Sequence, residues 1–326
     1  MKFREFGRLG WRVSEIGFGA WAVGGGWGAQ SDEESIAALH RAFDLGCNFV
    51  DTAQSYGDGH GEAVVSRAVR EWTGHDRIFV ATKIPPSPGD WPPSPYDPIE
   101  ARFSRDYLRE CIERSLRDLG RECIDLVQVH TWTRAWNRHP AVFDMLRDFR
   151  KEGKILGIGV STPEHDQNAV IDLMRSGWVD SVQVIYNIFE QEPQAELFPA
   201  AREHEVGVIV RLAFDESALT GKLTPGTRFA DDDIRSHYFA GDRLARTVRR
   251  VAAIRGTLGD QEPDLATAAL KFALKPAAVS TVIPGMRTAR QAEMNLAVSD
   301  QAPMTDRLEE QLRAHMWRRG FWYAGK

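Results

Sequence analysis

The chain reads as an α/β protein: a (β/α)8 barrel of the TIM class with an N-terminal β-hairpin cap and long loops at the C-terminal face. Three observations predict it. Short apolar runs alternate with helix-length amphipathic segments in eight strand–helix units. The apolar runs are continuous, as in parallel strands covered on both faces. Three successive runs end in residues able to do proton chemistry, and barrels carry their active groups at such strand ends. At 326 residues, one domain spanning 1–326 accounts for the chain, with no repeat, low-complexity tract or linker to divide it. The alternative, an open doubly wound sheet, requires a G-x-G-x-x-G turn after an early strand. Gly24-Gly25-Gly26-Trp27-Gly28 has another spacing and no strand just before it.

The elements follow in order. Residues 2–6 and 11–15 alternate polar and apolar around Gly7-Arg8-Leu9-Gly10, which predicts a hairpin. Ile16-Gly17-Phe18-Gly19 is the first buried strand, followed by a Gly- and Trp-rich loop over 20–28. Ser31-Asp32-Glu33-Glu34 is a helix start with a cap and first-turn acids, and Gly46 ends that helix. Strands are expected at 48–51, 78–83, 124–129, 155–160, 181–185, 207–212 and 279–283. Helices are expected at 61–70, 104–119, 140–151, 164–175, 193–205, 243–256, 264–274 and 288–297. In the 104–119 helix, Leu108, Ile112, Ser115, Leu116 and Leu119 share a face. Two long loops interrupt the alternation, and such loops are usually functional. Residues 84–103 carry seven prolines with Trp91 and Tyr96; residues 213–242 carry Asp231-Asp232-Asp233. Residues 304–326 read as a terminal helix and tail with Trp317, Phe321, Trp322 and Tyr323 at its end.

Composition excludes several classes. A net charge of −5 and the absence of a basic run argue against nucleic acid as a partner. No apolar run reaches the ~18 residues of a membrane span, and the N-terminus lacks the apolar core of a signal peptide. Cys47, Cys111 and Cys123 lack metal-ligand spacing and read as reduced thiols of a cytoplasmic protein. No metal site is expected.

The chain is organised around Asn48-Phe49-Val50-Asp51-Thr52-Ala53-Gln54-Ser55-Tyr56-Gly57. A buried strand stops at a carboxylate and enters a short polar loop. Downstream, Val80-Ala81-Thr82-Lys83 and Leu126-Val127-Gln128-Val129-His130 end in the same manner. This succession resembles the aldo-keto reductase superfamily, whose catalytic tetrad is Asp, Tyr, Lys and His, here Asp51, Tyr56, Lys83 and His130. The resemblance runs from Phe18-Gly19-Ala20-Trp21 to Ile283-Pro284-Gly285 and on to Asn295. In a barrel the ends of strands 2, 3 and 4 lie side by side, so the four groups converge. Lys83 is expected to stabilise the phenolate and lower the Tyr56 pKa, with Asp51 holding Lys83. Tyr56 would then protonate a carbonyl oxygen hydrogen-bonded by His130 while a hydride arrives at carbon. None of these groups supplies a hydride, so a cofactor must.

The resemblance implies a nicotinamide dinucleotide across the mouth, lined by Gly19, Ala20, Trp21 and Asp51. Ser161 and Gln183 match the contacts to the carboxamide; Thr162 replaces the usual Asn. Arg211 departs from the family pattern, standing where an aromatic stacks on the nicotinamide, in the run Arg211-Leu212-Ala213-Phe214. Its guanidinium either stacks on the ring, disfavouring the oxidised cofactor unless Asp215 or Glu216 neutralises it, or turns away into an ion pair. Leu219-Thr220-Gly221-Lys222 resembles the loop over the pyrophosphate. Gly285 precedes Arg287, the family position for a 2′-phosphate, so NADP(H) is expected over NAD(H). Gln291 and Asn295 match adenine-side contacts, while Met294 stands where Glu is common.

Trp21, Trp91, Tyr96 and Trp132 sit on loops expected to ring the mouth; Trp21, Tyr56, Trp91, His130 and Trp132 would form the substrate pocket. Aromatic walls favour amphipathic or sugar-like carbonyls. The leading expectation is an NADPH-dependent carbonyl reductase acting on a small molecule. Two alternatives are a sugar-modifying enzyme that keeps NADP(H) bound and a cofactor-binding regulatory subunit. The apparent lack of an extra N-terminal segment argues against the latter; homo-oligomerisation stays open.

Overall fold

The computed structural model describes residues 1–317. The aromatic residues Phe321, Trp322 and Tyr323 lie outside them. The chain enters as an antiparallel hairpin of β1 (Phe3–Phe6) and β2 (Trp11–Ser14), with Phe6 opposite Trp11. There follow β3 (Phe18–Gly19), α1 (Asp32–Asp44), β4 (Phe49–Asp51), α2 (His60–Glu71), β5 (Phe79–Ile84), α3 (Ile99–Arg102) and α4 (Arg105–Asp118). Next come β6 (Ile124–His130), α5 (Ala141–Lys151), β7 (Ile155–Ser161), α6 (Ile171–Arg175), β8 (Ser181–Ile185), α7 (Leu197–Glu203) and β9 (Gly207–Arg211). The last elements are α8 (Ile234–Tyr238), α9 (Arg243–Leu258), α10 (Leu265–Leu274), β10 (Val279–Val282), α11 (Ala289–Leu296) and α12 (Asp306–Arg313).

Strands β3 to β10 form one eight-stranded parallel sheet in sequence order. Parallel bridges Ile16–Val282 and Gly19–Gly285 join its first strand to its last, so it closes into the (β/α)8 barrel. The hairpin plugs the N-terminal end. Phe6 stacks on Phe49 at 5.5 Å and Trp11 on Phe79 at 4.9 Å, between ring centroids. Both partners are the first residues of barrel strands. Among the described residues, no helix is long and apolar enough to cross a membrane.

Two expected helices are shorter than their patterns. The 193–205 segment opens as a 3-10 turn at Glu192–Gln194 and restarts as α7. Pro199 has no N–H and would clash with a helical carbonyl at 195, so it is tolerated only in the first turn of a new helix. The 164–175 segment becomes a 3-10 turn at Gln167–Val170 before α6. Buried Gln167 there serves β8, accepting from Ile185 N at 2.6 Å and donating to Ile185 O at 3.0 Å.

The barrel interior is layered. Successive strand residues point to opposite faces. Phe49, Phe79, Ala81, Leu126 and Ile209 form an apolar inner cluster with Phe6 and Val13 of the hairpin. Val50, Val80, Val127, Val182 and Val210 belong to the larger cluster that includes the helices. Two residues further along the inward face stand Asp51, Lys83, Gln128 and Arg211. The continuous apolar runs in the sequence therefore hide an alternation, apolar at the closed end of the barrel and polar at the open end.

Candidate active site

The inward positions at the open end meet directly. Lys83 is fully buried, and its Nζ donates to Asp51 Oδ1 at 2.5 Å, to Thr52 O at 2.8 Å and to Tyr56 Oη at 3.1 Å. Asp51 is held from its other side: Oδ2 accepts from Gln128 Nε2 at 3.0 Å and Gln183 Nε2 at 2.7 Å. Tyr56 and His130 meet edge to face with ring centroids 6.2 Å apart. Ser55 Oγ lies 3.4 Å from His130 Nδ1. Trp21 stacks along Tyr56 at 6.2 Å, and Trp91 meets His130 edge-on at 4.9 Å. Asp51, Tyr56, Lys83 and His130 thus share one volume with Trp21 and Trp91.

The glycines of two loops make this approach possible. A Cβ on Gly24 would stand 2.5 Å from the Tyr56 carbonyl carbon, and one on Gly57 would stand 2.3 Å from Gly24 O. The glycine-rich loop after β3 therefore packs backbone to backbone on the loop that carries the tyrosine.

The electrostatics depart from expectation at one point. Burial pushes the Tyr56 hydroxyl above its ordinary value; Lys83 pulls it down, Asp51 pushes it up, and Arg211 adds a smaller downward pull. The lowering expected from Lys83 is overturned first by burial, with Asp51, 2.5 Å from the ammonium, adding to the rise. Burial alone would depress the Lys83 ammonium, but Asp51 and Tyr56 hold it above its ordinary value. Burial, with Lys83 and Arg211 beside it, holds His130 well below its ordinary value and so neutral.

The expected cofactor residues line the same end. Gly19 bridges Gly285, and Ala20 N donates to Asp51 O at 2.9 Å. Ser161 is buried at the end of β7, in register with His130 on one side and Gln183 on the other. Buried Thr162 N donates to Gln183 O at 2.9 Å, and its Oγ1 lies 3.3 Å from Gln167 Oε1. Gln183, expected at the carboxamide, directs its amide nitrogen at Asp51. Arg211 takes the ion-paired alternative: its Nη2 donates to Thr162 O at 3.1 Å and Glu164 Oε1 at 3.2 Å. The neutralising acid is Glu164, not Asp215 or Glu216.

Beyond β9 the backbone turns sharply. Leu212, Asp215, Glu216 and Ser217 all have positive φ. Leu212 O accepts from Asn187 Nδ2 at 2.8 Å, and Phe214 packs half-buried on the core. Gly221 O accepts from Arg255 at 2.8 Å, while Lys222 stays exposed. The segment then crosses the mouth. Ile234 N donates to Gly26 O at 3.1 Å, and the Arg235 guanidinium lies 4.8 Å from the Trp27 ring. Arg287 donates to Gln30 Oε1 at 2.5 Å and to the carbonyls of Trp27, Gly28 and Ala29 at 2.8, 3.2 and 2.7 Å. Its own N–H is taken by Gln291 Oε1 at 2.6 Å. Asn295 is buried, and Met294 is exposed.

One expected pocket residue is misplaced. Trp132 is fully buried between Trp136 and Phe143, with Nε1 on Asn137 at 2.8 Å. It belongs to the barrel–helix core, packed on Phe143 of α5, and Thr131 before it has a φ of 81°. Tyr96 is 92% exposed and stands free of the mouth's aromatic contacts. Sequence reasoning also passed over Gln128, Ser55 and Glu164. Gln128 was recoverable, lying two residues before His130 on the same strand face; Glu164 left no signal, since only folding brings it to Arg211.

The chain matches the family model described as Aldo/keto reductase family over residues 15–315. It is 31% identical over 239 residues to the aldo-keto reductase YhdN of Bacillus subtilis (strain 168), covering 73% of this chain and 69% of that one. It is 25% identical over 316 residues to the NADH-specific methylglyoxal reductase of Escherichia coli (strain K12), covering 91% and 93%. Among solved structures, the glycerol dehydrogenase AKR11B4 of Gluconobacter oxydans superimposes with a TM-score of 0.77 at 25% identity, covering 96% of this chain and 94% of that one.

Proposed function

Because the chain belongs to the aldo/keto reductase family, oxidoreductases acting on carbonyl and alcohol groups, we propose that it reduces an aldehyde, ketone or sugar-like carbonyl with NADPH, Tyr56 giving the proton. The observation that carries this reading is the buried contact of Lys83 with both Tyr56 and Asp51. A bound nicotinamide supplies the hydride. Everything else falls to side chains of this chain. Tyr56, kept protonated by burial, donates to the carbonyl oxygen as charge builds there. Lys83, 3.1 Å away, stabilises the phenolate left behind. Asp51 keeps Lys83 charged and in place. Neutral His130, in the tautomer whose Nδ1 accepts from the Ser55 hydroxyl 3.4 Å away, would present its Nε2–H to the same oxygen and orient the substrate. In the reverse direction the Tyr56 phenolate accepts the proton of an alcohol.

The residues fit a dinucleotide. With Asp233 a weaker charged neighbour, Arg287 is held by uncharged hydrogen-bond acceptors, which fix its direction. That suits a 2′-phosphate and favours NADP(H), with Gln291 and Asn295 on the adenine side, Lys222 near the pyrophosphate and Ser161 and Thr162 near the carboxamide. Trp21 and Trp91 supply the apolar walls for a small carbonyl substrate.

A turnover screen of carbonyl compounds followed by NADPH absorbance tests this, with Tyr56→Phe as control. General acid–base contributions of roughly 10²–10⁴-fold set the expected loss in that variant. Undiminished turnover in Tyr56→Phe would refute the proton donor.

A further inference from the structure

Six residues after Tyr56, the first turn of α2 carries a carboxyl that the chemistry above does not use. Glu62 is 0% exposed, on the outer side of the barrel wall. Its Oε1 accepts from Thr82 Oγ1 at 2.6 Å. Thr82 directly precedes Lys83 on β5, so Lys83 points into the barrel and Thr82 points out at α2. The same helical turn holds the tyrosine. Gly61 N donates to Tyr56 O at 3.0 Å. Gly61 packs so closely that a Cβ there would stand 3.2 Å from Tyr56 Cβ and from Thr52 Oγ1. One short segment therefore grips the strand of the ammonium with Glu62 and the loop of the phenol with Gly61.

Among the described residues, no cation pairs with Glu62. Arg114 on α4 gives its Nη2 to Asp58 O at 2.5 Å and Asp58 Oδ1 at 2.8 Å, and its Nε lies 3.5 Å from Asp118 Oδ2. Cys111, Ser115 and Asp118 are the other polar or titratable neighbours, all on α4. Oε2 is buried and unpartnered. Burial pushes the Glu62 carboxyl above its ordinary value; hydrogen bonds from Thr82 and Ser115 and the nearby Arg114 charge oppose the rise, and Asp118 adds to it.

We propose that Glu62 is a positioning residue for the proton donor: its bond to Thr82 ties β5 to the first turn of α2 and thereby sets the separation of Lys83 Nζ and Tyr56 Oη. The proposal rests on the tyrosine reading above and adds a residue that touches neither substrate nor cofactor. Glu62→Gln keeps an acceptor oxygen of the same reach. Glu62→Leu and Thr82→Val each remove the bond.

Expected are near-normal kcat in Glu62→Gln and losses of roughly tenfold to 10²-fold in Glu62→Leu and Thr82→Val, the scale of a small misplacement of a reacting group. KM and the dissociation constant for NADPH stay unchanged. The double variant is no worse than either single one. A second readout needs no turnover: the ultraviolet titration of Tyr56, obtained by difference from the matching Tyr56→Phe proteins, shifts in both bond-deleting variants and not in Glu62→Gln. If Glu62→Leu does not fold, Thr82→Val carries the test alone. A folded Thr82→Val protein with unchanged kcat and an unchanged Tyr56 titration overturns the proposal, even if its melting temperature falls. A failure of the tyrosine reading itself shows differently, as turnover that survives Tyr56→Phe.

Discussion

Lys83 Nζ stands 3.1 Å from Tyr56 Oη and 2.5 Å from Asp51 Oδ1, so a single buried ammonium faces a phenol and a carboxylate at once. The carboxylate keeps the lysine charged and also blunts its pull on the tyrosine. Burial first, and that carboxylate second, keep the phenol protonated before reaction. The ammonium is nonetheless close enough to receive the phenolate afterwards.

The Lys83–Asp51 pair is almost wholly enclosed, with side chains 0% and 3% exposed. Removing one partner strands the other, which costs about 3–5 kcal/mol for buried pairs. Lys83→Met is expected to lose stability on that scale and nearly all turnover. Lys83→Met with Asp51→Asn should lose less stability than the sum of the two single variants. Urea denaturation of the four proteins checks both.

Tyr56 is raised and His130 lowered, so neither titrates between their ordinary values of 10.0 and 6.5. kcat/KM for carbonyl reduction should be flat from about pH 7 to 9 and fall only beyond the ordinary tyrosine value near 10. Stability has its own sign. Between 6.5 and the lower folded value of His130, the unfolded chain binds more protons. Stability therefore rises with pH through that window. An acid limb in kcat/KM near 6.5 that vanishes in His130→Gln would contradict the neutral imidazole.

Glu164 neutralises Arg211 at 3.2 Å, where an unpaired cation would repel an oxidised, positively charged nicotinamide. Glu164→Gln is expected to raise the ratio of NADP+ to NADPH dissociation constants by about tenfold, or about 1.4 kcal/mol. Arg211→Tyr should shift the ratio little from wild type. Fluorescence titration with both cofactors measures it; an unchanged ratio in Glu164→Gln would remove the argument.

Arg287 anchors the loop at 27–29 through backbone carbonyls. Hydrogen bonds to charged groups are worth roughly 1.5–3 kcal/mol, so Arg287→Ala should weaken NADPH by about ten- to a hundredfold. NADH should weaken much less. Equal losses for both would show an anchor without a phosphate contact.

Two of the tryptophans expected in the substrate pocket should separate cleanly. Trp132→Ala empties a fully buried position and should cost about 3–5 kcal/mol. Trp91, 46% exposed and edge-on to His130, should change KM in Trp91→Ala with little change in melting temperature.

The strand periodicity, the strand-end residues and the order Asp51, Tyr56, Lys83, His130 were enough to predict a barrel and the four groups at its open end. Those features are local, because strand direction and alternation follow from backbone geometry within a few residues. What they could not decide was set by contacts between distant segments. The pairing of Arg211 with Glu164, the grip of Gln128 and Gln183 on Asp51, and the burial of Trp132 each depend on which segments become neighbours. So does the protonation of Tyr56. A lysine beside a tyrosine suggests an acidified phenol, yet enclosure and a carboxylate on the same ammonium reverse the outcome. Desolvation and charge sum over everything the closed barrel brings near, and only the closed barrel specifies that sum.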